Sequence, residues 1–201
     1  MNLLKIIIPC FNEKDSMKLL IQNLKTLNKE IKFIIVNNGS TDGTKEYLDS
    51  VSDTLGGNIK VFNTDLNLGY GDGVYRGLVH SKYTEYSGWI HGDLQFEFLK
   101  LNEIFEELKM TEDKKEKIFI KGIRIDRPMS DKLFSYFMGI IASFILKKPF
   151  KEINAQPTIF SSTLLEEVTS PPVDFCFDTY IYWLALKNEF TLVRKNFKFP
   201  P

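Results

Sequence analysis

The residues able to do chemistry in this chain are gathered in a few short polar clusters. His91-Gly92-Asp93-Leu94-Gln95 sets an imidazole, a carboxylate and an amide at alternate positions. In an extended segment alternate residues share one side. A carboxylate with a carbonyl oxygen suits a hard divalent cation that bridges phosphates and keeps waters. If His91 also ligates, its imidazole favours Mn2+ over Mg2+; otherwise it is a hydrogen-bonding residue of the pocket wall. Arginine is scarce, and two of the four, Arg124 and Arg127, fall within Lys121-Gly122-Ile123-Arg124-Ile125-Asp126-Arg127. Their planar guanidinium groups suit phosphate, with a surface ion pair as the alternative for Arg127. Asp174 and Asp178 precede a helix expected over Thr179 to Lys187. A carboxylate there can serve as general base on an acceptor hydroxyl, Asp178 before Asp174, unless both cap the helix.

These clusters need a frame. Leu4–Ile8, Phe33–Val36, Ile59–Phe62, Trp89–Ile90 and Ile118–Ile120 are short apolar runs, each followed by polar or glycine-containing turns. Near-continuous apolar runs of this length read as strands covered on both faces. Between them, Ser16 to Leu27 places Met17, Leu20, Ile21, Leu24 and Leu27 on one helical face, and Phe98 to Leu108 repeats the pattern. Shorter helices are expected over Thr44 to Val51 and Gly73 to Ser81. Strand–helix alternation predicts an α/β fold with a mostly parallel central sheet and helices on both faces. Ligands of such folds bind beyond the carboxyl ends of the strands. Pro9-Cys10-Phe11-Asn12-Glu13, Asn37-Asn38-Gly39-Ser40-Thr41-Asp42-Gly43-Thr44, Asn67-Leu68-Gly69-Tyr70-Gly71 and His91-Gly92-Asp93 all follow strands.

Composition narrows the classes. The 201 residues are 43% hydrophobic and 26% charged, and 26 basic residues balance 26 acidic ones. That is a globular composition of single-domain size, expected over 1–201. Zero net charge argues against bulk nucleic-acid binding. Two cysteines outside any C-x-x-C pattern argue against a disulfide framework or a cysteine-rich zinc site, and both read as buried hydrophobes. Pro9 cuts the first apolar run too short for a signal peptide, so the cytoplasm is the expected compartment. Glycines at 71, 73 and 77 mimic a dinucleotide fingerprint, but the spacing is wrong and the first turn has no glycine. Lys132 to Lys148 is apolar nearly all round with cationic ends, too short to span a bilayer. It is either a buried helix or one resting at a membrane interface beside anionic headgroups. The chain ends at Phe197-Lys198-Phe199-Pro200-Pro201 as a strand entering an unfinished loop, an ending compatible with further sequence.

Pro9-x-Phe11-Asn12-Glu13 after the first strand and Val36-Asn37-Asn38-Gly39-Ser40-Thr41-Asp42 after the second resemble motifs of the family 2 glycosyltransferases, which have the GT-A nucleotide-sugar fold. Asn67-x-Gly69-x-Gly71 is similar to their third motif, and His91-Gly92-Asp93-Leu94-Gln95 to their Asp-x-Asp metal motif as it stands in polyprenyl-phosphate sugar synthases. The resemblance implies an inverting transferase that moves sugar from a nucleotide diphosphate sugar to an acceptor, in surface polysaccharide or glycolipid synthesis. Pro9, Phe11, Asn12, Glu13, Asn38, Ser40, Asp42, Gly69, Arg124 and Arg127 would bind the donor. Asn38 would face a base edge and Glu13 the ribose hydroxyls; Ser40 as a helix cap and Asp42 as a turn residue are the structural alternatives. His91, Asp93 and Gln95 would hold Mn2+ or Mg2+, and Asp93, Asp178 and Arg124 would be catalytic. Ile153-Asn154-Ala155-Gln156-Pro157 falls where related synthases carry an acceptor loop. His91 and Asn37 depart from the family's acidic pattern. The alternatives are a polyprenyl-phosphate monosaccharide synthase acting on a lipid phosphate, and a degenerate nucleotide-sugar binder without activity.

Overall fold

The apolar runs become strands of a single sheet. The computed structural model describes residues 2–80, 84–111, 116–126 and 128–198. In chain order the strands are β1 (Asn2–Cys10), β2 (Lys32–Asn38), β3 (Ile59–Thr64), β4 (Thr84–Trp89), β5 (Ile118–Ile125), β6 (Thr158–Ser161) and β7 (Thr191–Lys198). They lie in the order β3-β2-β1-β4-β6-β5-β7. All neighbours are parallel except β6, which runs antiparallel to both β4 and β5. The carboxyl ends of β1, β2, β4 and β5 therefore open on the same edge.

Side-chain alternation divides the sheet's apolar residues between two layers. Leu4, Ile6, Ile8, Phe33 and Ile35 join a core with α1 (Lys14–Thr26), α2 (Thr44–Val51) and α4 (Lys100–Met110). Ile7, Ile34 and Val36 face the other way, with α3 (Tyr70–His80) and α6 (Cys176–Lys187). Each fully buried Ile or Leu adds roughly 1.5–3 kcal/mol, so these layers hold the strand ends in place. The helix α3 lies close on the sheet because Gly77 has no side chain; a Cβ there would stand 2.5 Å from Ile7 Cγ2.

Two expectations change at the C-terminal side. The helix after Asp174 begins at Cys176, not Thr179, so Asp178 lies inside its first turn. The apolar stretch forms α5 (Met129–Leu146), and it is not a buried helix. Gly139 packs on the Phe150 carbonyl and Ala142 and Leu146 touch the core. Leu133, Tyr136, Phe137, Ile140, Ile141, Phe144 and Ile145 are exposed, Phe144 by 85%. Among the described residues no helix is long and apolar enough to cross a membrane. Of the cysteines, Cys10 is buried as expected, but Cys176 is exposed at the start of α6.

Candidate active site

Two cavities open at the carboxyl edge, and His91 and Asp93 line both. The larger, about 380 Å³, is walled by Pro9, Phe11 and Glu13 at and beyond the end of β1, by Asn38 at the end of β2, by Asn67, Gly69 and Tyr70 at the start of α3, and by Phe175. Tyr70 stacks on Phe175 with ring centroids 4.8 Å apart. The wall is thus largely aromatic and apolar, with Glu13 at its polar end. Glu13 is half-buried, and its Oε2 accepts from Ser16 Oγ at 2.6 Å. The smaller cavity, about 130 Å³, lies towards β5 and β7 and is lined by Gln95, Arg124, Asn154, Gln156 and Lys198. Arg124 is oriented by Glu152 Oε2, 3.1 Å from its Nε, and by Ser135 of α5.

His91 and Asp93 form the partition between the cavities. His91 Nδ1 stands 3.7 Å from Asp93 Oδ2. On the far side of the ring, Nε2 is 2.9 Å from the Tyr70 hydroxyl. The His91 backbone N–H donates to the Gln156 side chain, which ties the partition to the loop before β6. Burial opposes ionisation of Asp93, but His91 and the backbone N–H of Gln95 more than offset it, so its carboxyl titrates below the ordinary value. An imidazole nitrogen and a carboxylate oxygen this close, at the mouth of both cavities, fit a divalent cation that takes its other ligands from phosphates and water. Among the described residues no cluster of three or more His, Cys, Asp or Glu would hold a metal unaided. Gln95 does not follow from strand alternation as expected: Leu94 has φ +64°, so the segment turns, and the Gln95 N–H donates to Asp93 Oδ1. Its side chain still reaches the smaller cavity.

Several expected donor residues also make hydrogen bonds within the protein. The Asn38 amide nitrogen donates to Asn67 Oδ1 and to the Gly69 carbonyl, and its oxygen accepts from Thr64. Three of its hydrogen bonds thus go to the protein, while the residue itself lines the larger cavity. Asn12, at φ +56°, donates its N–H to Ser40 Oγ and accepts from the Thr41 N–H. Asn12 and Ser40 thereby clamp the two loops together and line neither cavity. Asp42 accepts from the N–H groups of Thr44 and Lys14, the turn role given as its alternative, while the N-cap of α2 is Gly43, without a side-chain cap. Thr44 also donates its hydroxyl to Asp42, which is the main reason that carboxyl titrates below its usual value. Arg127 lies outside the described residues.

Asp178 requires the largest correction. It is only 3% exposed, lines neither cavity, and faces Lys121 Nζ at 3.6 Å. A carboxylate enclosed in this way cannot reach an acceptor hydroxyl. Asp174 is also engaged, accepting from the Cys176 N–H at 2.8 Å. Conversely, Tyr70, Phe175 and Lys198 have no site role in the sequence reading, and Gln156 enters it only within the acceptor-loop segment 153–157. Tyr70 and Gln156 lie inside quoted motif segments, and their sequence position was the only available signal.

The model of the family described as glycosyl transferase family 2 matches residues 5–135. No curated protein matches the chain. Among solved structures, glucosyl-3-phosphoglycerate synthase from Mycobacterium tuberculosis, in complex with Mn2+, UDP and glucosyl-3-phosphoglycerate, superposes with a TM-score of 0.72 at 15% identity, covering 98% of this chain and 71% of that one. S. aureus TarS gives 0.65 at 18% identity, covering 97% and 59%. The mannosyltransferase PcManGT from Pyrobaculum calidifontis, in complex with GDP-Man and Mn2+, gives 0.69 at 15% identity, covering 97% and 56%. The chain thus spans little more than half the length of the latter two. At these identities the likeness is one of fold.

Proposed function

The chain belongs to glycosyl transferase family 2, and from that membership we propose that it moves a sugar from a nucleotide diphosphate sugar to a phosphate-bearing, lipid-linked acceptor, with inversion. The observation that carries this reading is the partition. His91 and Asp93 line both a larger aromatic cavity and a smaller one bearing cations, where a sugar leaving one ligand would meet another.

The donor's base fits between Phe11 and the Tyr70–Phe175 pair, since aromatic rings stack on planar bases at little entropic cost. Glu13 accepts from ribose hydroxyls. His91 and Asp93 would hold a divalent cation against the diphosphate, as the Mn2+ of two relatives' complexes supports. When bound, the cation neutralises charge building on the departing diphosphate. Arg124, held by Glu152 and Ser135, presents its planar guanidinium to the smaller cavity. Attack from that side and departure into the other form one in-line displacement, which inverts the anomeric carbon.

The acceptor class follows from charge. Among the described residues lining the smaller cavity, Asp93 is the one carboxylate, and Arg124 and Lys198 are cations. With Asp178 enclosed by Lys121, a hydroxyl acceptor lacks an evident general base beyond Asp93. A phosphate oxygen is already ionised and needs none. The exposed apolar face of α5 adjoins this cavity through the Ser135–Arg124 contact, and Lys132, Lys147 and Lys148 stand near its ends. An apolar helix face rimmed by lysines suits the surface of an anionic bilayer.

The test is a transfer assay with UDP-, GDP- and dTDP-sugars and Mn2+, comparing polyprenyl phosphate in anionic vesicles with soluble hydroxyl acceptors. Transfer to the lipid phosphate, lost in Asp93→Ala, is expected. Transfer to a hydroxyl acceptor alone would refute the acceptor class. Donor hydrolysis or transfer unchanged in Asp93→Ala would refute the site. Phe144→Glu with Ile145→Glu should abolish co-sedimentation with anionic vesicles and leave donor binding intact.

A further inference from the structure

A third cavity, of about 640 Å³, lies between α5 and the segment that follows it. Its size is within the roughly 300–1,000 Å³ of small-molecule sites. Lys147, at φ +50°, ends α5, and the chain turns back along the helix. There the Phe150 N–H donates to Ser143 Oγ at 2.8 Å, and Ser143 Oγ donates to the Gly139 carbonyl at 2.6 Å. The Ser143 hydroxyl is thereby spent within the protein. What this part of the groove offers a ligand is mainly carbon, from Tyr136 and Ile140 on the helix and from Pro149 and Phe150 opposite.

The other end of the groove is charged. Ser135 and Glu152 line it, and both hold Arg124, which lines the smaller cavity. The two spaces therefore share one wall. Lys132 and Lys151 line the groove as well, and the Glu152 carboxylate is paired with Arg124 at 3.1 Å. From Ser135 to Ser143 the helix runs about 12 Å, at 1.5 Å per residue. The smaller cavity, about 130 Å³, can take a phosphate but not a chain attached to it. An anionic head at Arg124 with an apolar tail laid along α5 matches the order of charge and carbon across both spaces. A free phosphate would leave the apolar walls in water, and an uncharged lipid would give the cations no counter-ion.

We propose that the groove between α5 and residues 149–152 binds the first apolar units of the acceptor's own prenyl chain, running from Arg124 towards Ser143. The inference rests on the phosphate-bearing, lipid-linked acceptor proposed above and adds where its chain lies. Leu133, Phe137, Ile141 and Phe144 are exposed on α5 and do not line the groove, so they remain for the bilayer. A chain held by the protein is selected by length. Each methylene fully buried is worth about fourfold in affinity, and the gain stops where the groove ends.

The test is titration calorimetry of the full chain without vesicles, below micelle-forming concentrations. The probes are dimethylallyl, geranyl and farnesyl phosphate, with inorganic phosphate and farnesol as the two halves of the ligand. Affinity should rise about 10-fold or more from dimethylallyl to farnesyl phosphate, with inorganic phosphate and farnesol each weaker than farnesyl phosphate. Tyr136→Gln with Ile140→Gln makes the helix wall polar without adding charge, and both residues are exposed, so the core is untouched. This variant should lose most of the gain with chain length. Affinity that does not rise with length, or a gain kept in the variant, overturns the groove and leaves the phosphate site standing. Farnesol bound as tightly as farnesyl phosphate overturns the anionic-headed occupant. No binding of any of the phosphates, with or without UDP and Mn2+, instead overturns the acceptor class itself, and the groove with it.

Discussion

Replacing Asp178 by Asn tests the buried pair beneath the active site. The side chains of Lys121 and Asp178 are 0% and 4% exposed, with Nζ and Oδ1 3.6 Å apart. At an effective dielectric of about 20, that separation is worth about 5 kcal/mol of attraction. Desolvation opposes it: burial lowers Lys121 to about 8, even though Asp178 pulls it upward. The isosteric Asn removes the upward pull and keeps the volume. Breaking such a pair while leaving its partner buried costs about 3–5 kcal/mol, and we expect that loss at pH 7 in urea unfolding. The pH dependence carries a sign. The folded-state pKa of Lys121 lies below its unfolded value, so the unfolded state binds more protons between the two and stability rises with pH across that window. In the parent protein the window opens at about 8. In Asp178→Asn it opens lower, so the variant gains up to about 1.4 kcal/mol per pH unit before the parent gains anything. The gap between them should therefore narrow from pH 6 to 8 and run parallel above. A gap under about 1 kcal/mol, or one that widens with pH, would refute the charged, mutually dependent pair.

Other expectations follow from the same geometry. The double substitution Lys121→Met with Asp178→Leu should recover most of the lost stability, because an apolar pair of similar volume replaces two desolvated charges; urea midpoints would show it. Gly122→Ala would put a Cβ 1.9 Å from the Gln156 carbonyl oxygen, so we expect a loss of about 3 kcal/mol or more. Because Gln156 holds the His91 backbone, Mn2+ binding by the surviving folded protein should weaken as well. Cys176 should react with a thiol reagent in the native state, while Cys10, 2% exposed, should react only on unfolding. Equal labelling rates would contradict the placement of β1's end beneath the site.

Local sequence determined most of the frame. Period-two alternation in β1 and β2 and the 3.6-residue spacing in α1 and α4 specify which faces are buried before any partner is known, because burial follows the geometry of each element. The same logic pointed to the edge on which the two cavities open, since turns rich in carboxylate and amide follow the strand ends there. Pro9, Phe11, Glu13, Gly69, His91, Asp93, Gln95 and Arg124 all line one cavity or the other. What composition and spacing could not decide was which polar groups remain available once the chain closes. Asn12, Ser40 and Asp42 spend their hydrogen bonds on loops 28 or more residues away or on the next helix and line neither cavity, whereas Asn38 lines the larger one despite its bond to Asn67. The partner that encloses Asp178, Lys121, is 57 positions earlier and arrives on β5, a strand joined to the sheet through the antiparallel β6. Likewise, α5 reads the same whether covered or bare; only the packing of Gly139, Ala142 and Leu146 leaves its remaining apolar face outside. Residue type limits what a side chain can do, but availability depends on long-range contacts, and those exist only in the tertiary structure.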